Sequence, residues 1–256
     1  MSAPDLRLGR YQDVLADVEC DASIADPPFG ERTHASWREG GAAAKLKRGA
    51  ITYAHWTPDD VRDYVKAWSD RTRGWMVAMT SHDLCEAWQD EFESAGRYSF
   101  APIPFVTIGG SIRLAGDGPS NWTVWLMVAR PRTRKMQKWG TLPGAYILQG
   151  GANTWAHDES GGGRGKSLDG MRAIVRDYSR ACDLICDPCG GLATTGVAAL
   201  GMGRRFVGAE MDPATHGRGL RRLAAVQPVD LFDPGRAQQA PLFAEPPRAT
   251  RRKKAA

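Results

Sequence analysis

The chain has 256 residues, 42% of them hydrophobic and 25% charged, which suits one large globular domain or one domain with a modest insertion. The first thirty residues carry no apolar leader-like core, and no apolar run approaches the ~18 residues needed to cross a bilayer, so a soluble, intracellular protein is expected. Five cysteines, an odd number, argue against a disulfide framework. Cys186-Asp-Pro-Cys189 has metal-ligand spacing, but no second Cys or His pair lies at a matching distance, so no metal is expected.

The net charge of +5 belongs to the tail. Residues 246–256 hold Arg248, Arg251, Arg252, Lys253 and Lys254 and no acid, and without these five the chain has 29 basic and 29 acidic residues. Nucleic-acid binding by the body would therefore need a local patch. Arg130, Arg132, Arg134, Lys135 and Lys138 form such a run, with no acid among them and Trp139 at its end.

In chain order, 14–25 reads as a strand region that breaks at Asp26-Pro27-Pro28-Phe29-Gly30, and 31–56 as a loop without periodicity. Residues 58–69 read as a helix: Thr57 can cap it, Pro58 suits its first turn, and Val61, Tyr64, Val65 and Trp68 recur at helical spacing. Residues 74–79 read as a buried strand, 82–95 as a helix, and 104–108 and 122–129 as strands. Residues 130–165 lack periodicity and are too long for an ordinary connection. A helix over 167–179, a strand over 183–186, a helix over 194–202 and a strand over 205–210 follow, and from Gln227 the composition is that of a tail. Strands alternating with helices imply an α/β fold with helices on both faces of a sheet, and ligands beyond the carboxyl ends of its strands.

Two constellations carry chemistry. In Asp26-Pro27-Pro28-Phe29, consecutive prolines fix two backbone angles and offer no amide hydrogens, so the turn holds an acid and an aromatic ring in set relation. The Asp26 carboxylate and the Pro27 carbonyl can accept both hydrogens of an exocyclic amine while Phe29 stacks on its ring. The second runs from Asp183 to Glu210: a strand, the turn Asp187-Pro188-Cys189-Gly190-Gly191-Leu192-Ala193-Thr194-Thr195-Gly196, a helix, and a strand ending in an acid. This is the layout of a nucleoside-binding unit, and Glu210 lies 23 residues after Asp187, near the ~20 at which an acid meets ribose hydroxyls. There is no G-x-G-x-x-G and no phosphate-binding lysine, so a dinucleotide or nucleoside triphosphate is disfavoured.

Together these motifs resemble the DNA amino-methyltransferases of the permuted, beta type, in which a D-P-P-Y/F tetrad comes first, a target-recognition region follows, and a D-P-F-x-G-x-G-T turn comes late. The similarity covers most of residues 10–225. Lys166-Ser167-Leu168 resembles the family's K-P-L segment, which lines the cofactor pocket, and Asp13 stands where the family has an acid near the cofactor adenine. The resemblance implies a Rossmann-like, mixed and mostly parallel sheet, with S-adenosyl-L-methionine as cofactor. It places Asp13, Lys166, Ser167, Asp187, Pro188, Gly190, Gly191, Thr194, Thr195 and Glu210 around that cofactor, with Asp187 facing the methionine amino group. Asp26, Pro27, Pro28 and Phe29 would hold a base flipped out of double-stranded DNA. Residues 1–130 and 166–226 would form two halves of one catalytic domain, 131–165 the DNA-contact insert and 227–256 a flexible tail.

The resemblance favours the N6 amine of adenine, because the tetrad begins with Asp, and leaves the N4 amine of cytosine as the alternative. A non-catalytic DNA-binding relative with a decayed cofactor turn, and methylation of RNA or protein, stay open. Two departures stand out: Cys189 replaces the family Phe, and Ala193 replaces its last Gly, which is tolerable if residue 193 has helical angles. In the tail, Gln239, Leu242 and Phe243 fit a Q-x-x-L-F pattern that docks bacterial DNA enzymes on the replication sliding clamp. A monomer or homodimer in the cytoplasm of a bacterial or phage-infected cell is expected.

Overall fold

The computed structural model describes residues 5–33, 54–108, 121–132, 139–149 and 166–226. Of the predicted features, Arg134, Lys135, Lys138 and the clamp pattern at Gln239, Leu242 and Phe243 lie outside them.

The described residues build one nine-stranded mixed sheet. The strands are β1 (Asp5–Leu8), β2 (Ala22–Ala25), β3 (Met76–Thr80), β4 (Arg97–Ser99), β5 (Ile103–Ile108), β6 (Thr123–Pro131), β7 (Tyr146–Gln149), β8 (Leu184–Asp187) and β9 (Arg205–Glu210). Their order is β1-β9-β8-β2-β3-β6-β5-β7, with β4 paired to β6. The pairs from β1 through β3 are parallel, whereas β6 is antiparallel to β3, β4 and β5. The expected fold is thus the observed one. The two predicted halves are one interleaved unit, because β1 pairs with β9 and β2 with β8.

The helices are α1 (Tyr11–Val14), α2 (Pro58–Trp68), α3 (Cys85–Ser94, entered through a 3-10 turn at His82–Leu84), α4 (Leu168–Tyr178), α5 (Thr194–Gly201) and α6 (Pro213–Ala224). They cover both faces. Val61, Tyr64, Val65 and Trp68 of α2 and Trp88 and Phe92 of α3 pack with Ala78, Met127 and Cys186 on one face. Met171, Ile174 and Tyr178 of α4 and Ala198 of α5 pack with Ile24, Val77, Leu126 and Ile185 on the other. Adjacent strand residues such as Ile185 and Cys186 face opposite cores, as the two-residue period of a strand requires. Among the described residues no helix is long and apolar enough to cross a membrane.

The sequence reading of α2 holds to its caps. Thr57 accepts from the Asp60 amide, and the Asp60 carboxylate accepts from the Thr57 amide at 2.8 Å, a reciprocal capping box. Elsewhere it needs correction. In the region 14–25, Val14 closes the helix α1 and only the last residues form β2. The stretch 131–165 is not irregular throughout: Pro131 ends β6, and β7 inside the stretch completes the sheet beside β5. Residues 133–138 and 150–165 lie outside the described residues. The strands β1 and β4 and the helix α6 were not expected at all.

Candidate active site

Parallel neighbours end at the same edge of a sheet. Asp26 follows β2, Asp187 ends β8 and Glu210 ends β9, so adjacency of the three strands brings three acids to one carboxyl edge. The Asp26-Pro27-Pro28-Phe29 turn leaves the sheet there and is tied down from both sides. The Phe29 carbonyl accepts from the Trp56 amide at 3.0 Å, and the Gly30 amide donates to Ser81 Oγ, just beyond β3, at 2.9 Å. A Cβ at Gly30 would lie 2.3 Å from a carboxylate oxygen of Asp83, so any larger residue there must displace the Asp83 side chain.

The Asp26 side chain is half-buried, and its partner is Lys166, whose Nζ lies 3.2 Å from Asp26 Oδ1. The same ammonium sits 4.5 Å from the centre of the Phe29 ring. Lys166 thus bridges the acid and the aromatic of the tetrad, a placement that its resemblance to a cofactor-lining segment did not anticipate. Burial pushes the Asp26 carboxyl above its ordinary range, and the Lys166 charge opposes that shift.

Asp187 is 2% exposed. Its Oδ1 accepts from the Cys189 amide at 3.0 Å. Burial raises its pKa to about 7 against the pull of Thr195 and that amide, and the charges of Asp26 and Glu210 push the same way. Burial also raises the Cys189 thiol, as do the three acids around it. A carboxyl held this way, in a crowd of like charge, is poised to ionise against an arriving cation.

The turn after Asp187 is shaped by close approach. The Gly190 amide donates to the Ala209 carbonyl at 2.8 Å, and a Cβ at Gly190 would sit 3.1 Å from that oxygen. Gly191 has φ +51, and a Cβ there would meet its nearest neighbour only at 4.0 Å, so this backbone faces open space. Pro188 is buried beneath the turn. Ala193 corrects an expectation: it adopts left-handed angles, φ 55 and ψ 35, rather than helical ones. A residue with a Cβ stands where glycine is most at ease.

The other predicted residues divide. Glu210 Oε1 accepts from the Asp212 amide at 2.7 Å. Asp13 is exposed on α1, which follows β1, and the Gly9 amide between them donates to the Glu210 carbonyl. Ser167 caps α4, its hydroxyl accepting from the Gly170 amide at 3.3 Å, and Thr194 Oγ1 accepts from Arg222 at 3.0 Å. These two hydroxyls serve the fold. Arg130 lies among the last paired residues of β6 and Arg132 just after it; β6 runs antiparallel to β3, so both lie at the opposite, amino edge. There the Arg130 guanidinium packs over Tyr98 at 5.1 Å, and Arg132 Nε donates to the Arg97 carbonyl.

Sequence reasoning missed the aromatic wall next to the acids. Tyr11 meets Tyr64 edge-on at 5.8 Å, and Tyr64 meets Trp56 at 5.6 Å and Trp88 at 5.4 Å. Ser23 on β2 hydrogen-bonds the Tyr64 hydroxyl at 3.0 Å. The helical spacing of Tyr64 marked it as core, and its neighbours come from four separate segments.

No family model matches the chain. A protein of Escherichia coli (strain K12) named as a methylase, YubD, is 36% identical over 62 residues, which is 24% of this chain and 27% of that protein. Solved structures align far more widely. M1.HpyAVI in complex with SAM superposes with a TM-score of 0.64 at 17% identity, covering 86% of this chain and 98% of that one. TTHA0409 of Thermus thermophilus, named as a DNA modification methylase and complexed with S-adenosyl-L-methionine, gives 0.56 at 18%, covering 87% and 93%. The PvuII DNA methyltransferase, cytosine-N4-specific, gives 0.58 at 13%, covering 87% and 86%. At these identities the likeness is one of architecture: the chain has the mixed α/β fold of S-adenosylmethionine-dependent methyltransferases.

Proposed function

We propose that the protein is a DNA methyltransferase that moves the methyl group of S-adenosyl-L-methionine to an exocyclic base nitrogen, N6 of adenine in the first instance. The observation that carries this reading is the convergence of the Asp26-Pro27-Pro28-Phe29 turn and the Asp187–Thr195 turn at the carboxyl edge of adjacent strands. The YubD match and the names of the superposable structures support it.

The residues present suit the cofactor. Asp187 is a buried carboxyl suited to a cationic amino group, Glu210 at the end of β9 would take the ribose hydroxyls and exposed Asp13 the adenine side, and Gly191 leaves backbone open to a ligand. When bound, the cofactor supplies a methyl group activated on a sulfonium. The protein's share is to prepare the amine, whose lone pair is delocalised into the base ring. Asp26 and the Pro27 carbonyl accept its two hydrogens and favour a pyramidal nitrogen. Phe29 holds the ring by stacking, and Asp26 is placed to receive the proton that the methylated nitrogen sheds. The base must leave the duplex to reach this turn.

Cytosine N4 is the second reading, favoured by the superposition on a cytosine-N4-specific enzyme. Incubation with radiolabelled S-adenosyl-L-methionine and mixed DNA, followed by nucleoside analysis, tests both. Label in N6-methyladenine supports the first, label in N4-methylcytosine the second, and unlabelled DNA refutes the proposal.

A further inference from the structure

We infer that Lys166 is a residue of the base pocket, not of the cofactor pocket, and that it reads the ring nitrogen beside the exocyclic amine; this rests on the amino-methyltransferase reading above. Lys166 is held between the two groups assigned to the base. Its Nζ is 3.2 Å from the carboxylate that would take the amine hydrogens, and 4.5 Å from the centre of the ring that would stack on the base. Its side chain is only 17% exposed. A lysine ammonium offers three donors and no acceptor. In the free protein its positive charge stands where the amine would, 3.2 Å from the Asp26 carboxylate and over the face of Phe29.

An entering base displaces the ammonium from both positions. The backbone bounds how far it can go, because Ser167 is pinned as the cap of α4. The nearest acceptor a base then offers is the ring nitrogen adjacent to the amine, N1 in adenine and N3 in cytosine. Asp26 and Lys166 together form an acceptor beside a donor. Adenine and cytosine present the complement, an amine beside a bare ring nitrogen. Thymine, and guanine at its O6–N1 edge, present a carbonyl beside an N–H and meet both groups with the wrong sign. The pair therefore selects the amine-beside-bare-nitrogen edge that adenine N6/N1 and cytosine N4/N3 share, without choosing between the two. It also covers the ring nitrogen, whose lone pair is less delocalised than that of the amine.

Substrate deletion against residue deletion tests this. Wild type, Lys166→Met and Lys166→Arg are given an oligonucleotide carrying the methylated site, with either adenine or 1-deazaadenine at the target. For a cytosine target, 3-deazacytosine is used. Removing the ring nitrogen should slow wild type and Lys166→Arg by tenfold or more, and Lys166→Met by less than threefold. Lys166→Met should bind S-adenosyl-L-methionine within threefold of wild type by calorimetry. Equal deaza losses in wild type and Lys166→Met, or a tenfold loss of cofactor affinity in Lys166→Met, overturn the inference and leave the methyltransferase reading standing. A wild-type protein that methylates no DNA overturns both. Thermal melts of each variant identify a folding defect, and Lys166→Arg keeps the donor if Lys166→Met is unstable.

Discussion

Asp187→Asn separates what the fold needs at residue 187 from what the proposed cofactor needs. Ionised Asp187 is buried at 2% exposure beside two further acids, and its pKa stands near 7 against 3.8 for a free carboxyl. The folded state therefore holds a proton on Asp187 that the unfolded chain releases. An acid raised in this way lowers stability progressively as pH climbs from about 4 to about 7, and the full penalty persists above 7. Three pKa units correspond to about 4 kcal/mol, of which roughly 2–3 kcal/mol accumulates between pH 5 and pH 8. Asparagine keeps the Oδ1 acceptor for the Cys189 amide and has no charge to bury. Urea unfolding followed by tryptophan fluorescence at several pH values measures the gap between variant and wild type. The variant should gain on wild type by about 2 kcal/mol or more between pH 5 and pH 8, several degrees of Tm for a chain of this size. Calorimetry should show that the same variant no longer takes up S-adenosyl-L-methionine, whereas wild-type affinity rises with pH up to about 7 as Asp187 ionises against the ligand's amino group. A constant gap across this pH range would refute the account of Asp187 as a strained, buried acid.

Asp26→Ala is expected to abolish methyl transfer while leaving cofactor affinity close to wild type, and turnover near the wild-type rate would remove Asp26 from the mechanism. Glu210→Ala should weaken S-adenosyl-L-methionine by at least about 1.5 kcal/mol, the low end for a hydrogen bond to a charged group, in a calorimetric titration. Ala193→Gly relieves a left-handed alanine, worth ~1 kcal/mol, and gives up a buried methyl worth about 0.8 kcal/mol, so its unfolding free energy should stay within ~1 kcal/mol of wild type and its cofactor affinity should not fall. A loss above about 2 kcal/mol would mean that the Ala193 methyl is an essential packing group.

The parts of the fold legible in the sequence are those where local chemistry and tertiary demand agree. In α2 the capping residues, the proline and the apolar spacing all point one way, and both ends are readable. The αβ unit from Leu184 to Glu210 is legible for the same reason, since a buried parallel strand is apolar throughout and its turn is rich in glycine. The helix α6 is hidden by Gly217 and Gly219, which weaken a helical signal that Asp212 as cap and Pro213 at the first turn would otherwise give. Gly219 answers a demand invisible along the chain: a Cβ there would lie 2.8 Å from Leu6 and 3.2 Å from the Gly191 carbonyl, so this glycine lets α6 approach the turn that follows Asp187. The short strand β7 is hidden because it is a sheet edge, with Ile147 exposed and little alternation. Lys166 shows the limit most plainly. Its neighbours in sequence point to one pocket and its neighbours in space, residues 26 and 29, point to another.

Strand direction also decides what the basic run after β6 can do. Adjacent in sequence, Arg130 to Lys138 read as one patch facing the substrate. In the sheet, Ala129 pairs with Met76 and Ala25 with Ala78, so Arg130 lies level with Trp75 and Asp26 level with Met79. Four residues of strand separate the two levels, about 13 Å, with β3 between them. Arg130 and Arg132 are moreover committed to Tyr98, Phe100 and the Arg97 carbonyl at that end. Under the proposed function a base would enter the Asp26 turn from the carboxyl edge, away from both arginines. Any contact they made with DNA would then be with phosphates away from a flipped nucleotide. Such contacts would set salt dependence and, under the proposed function, leave the choice of base to the carboxyl-edge groups, Asp26, Phe29 and Lys166.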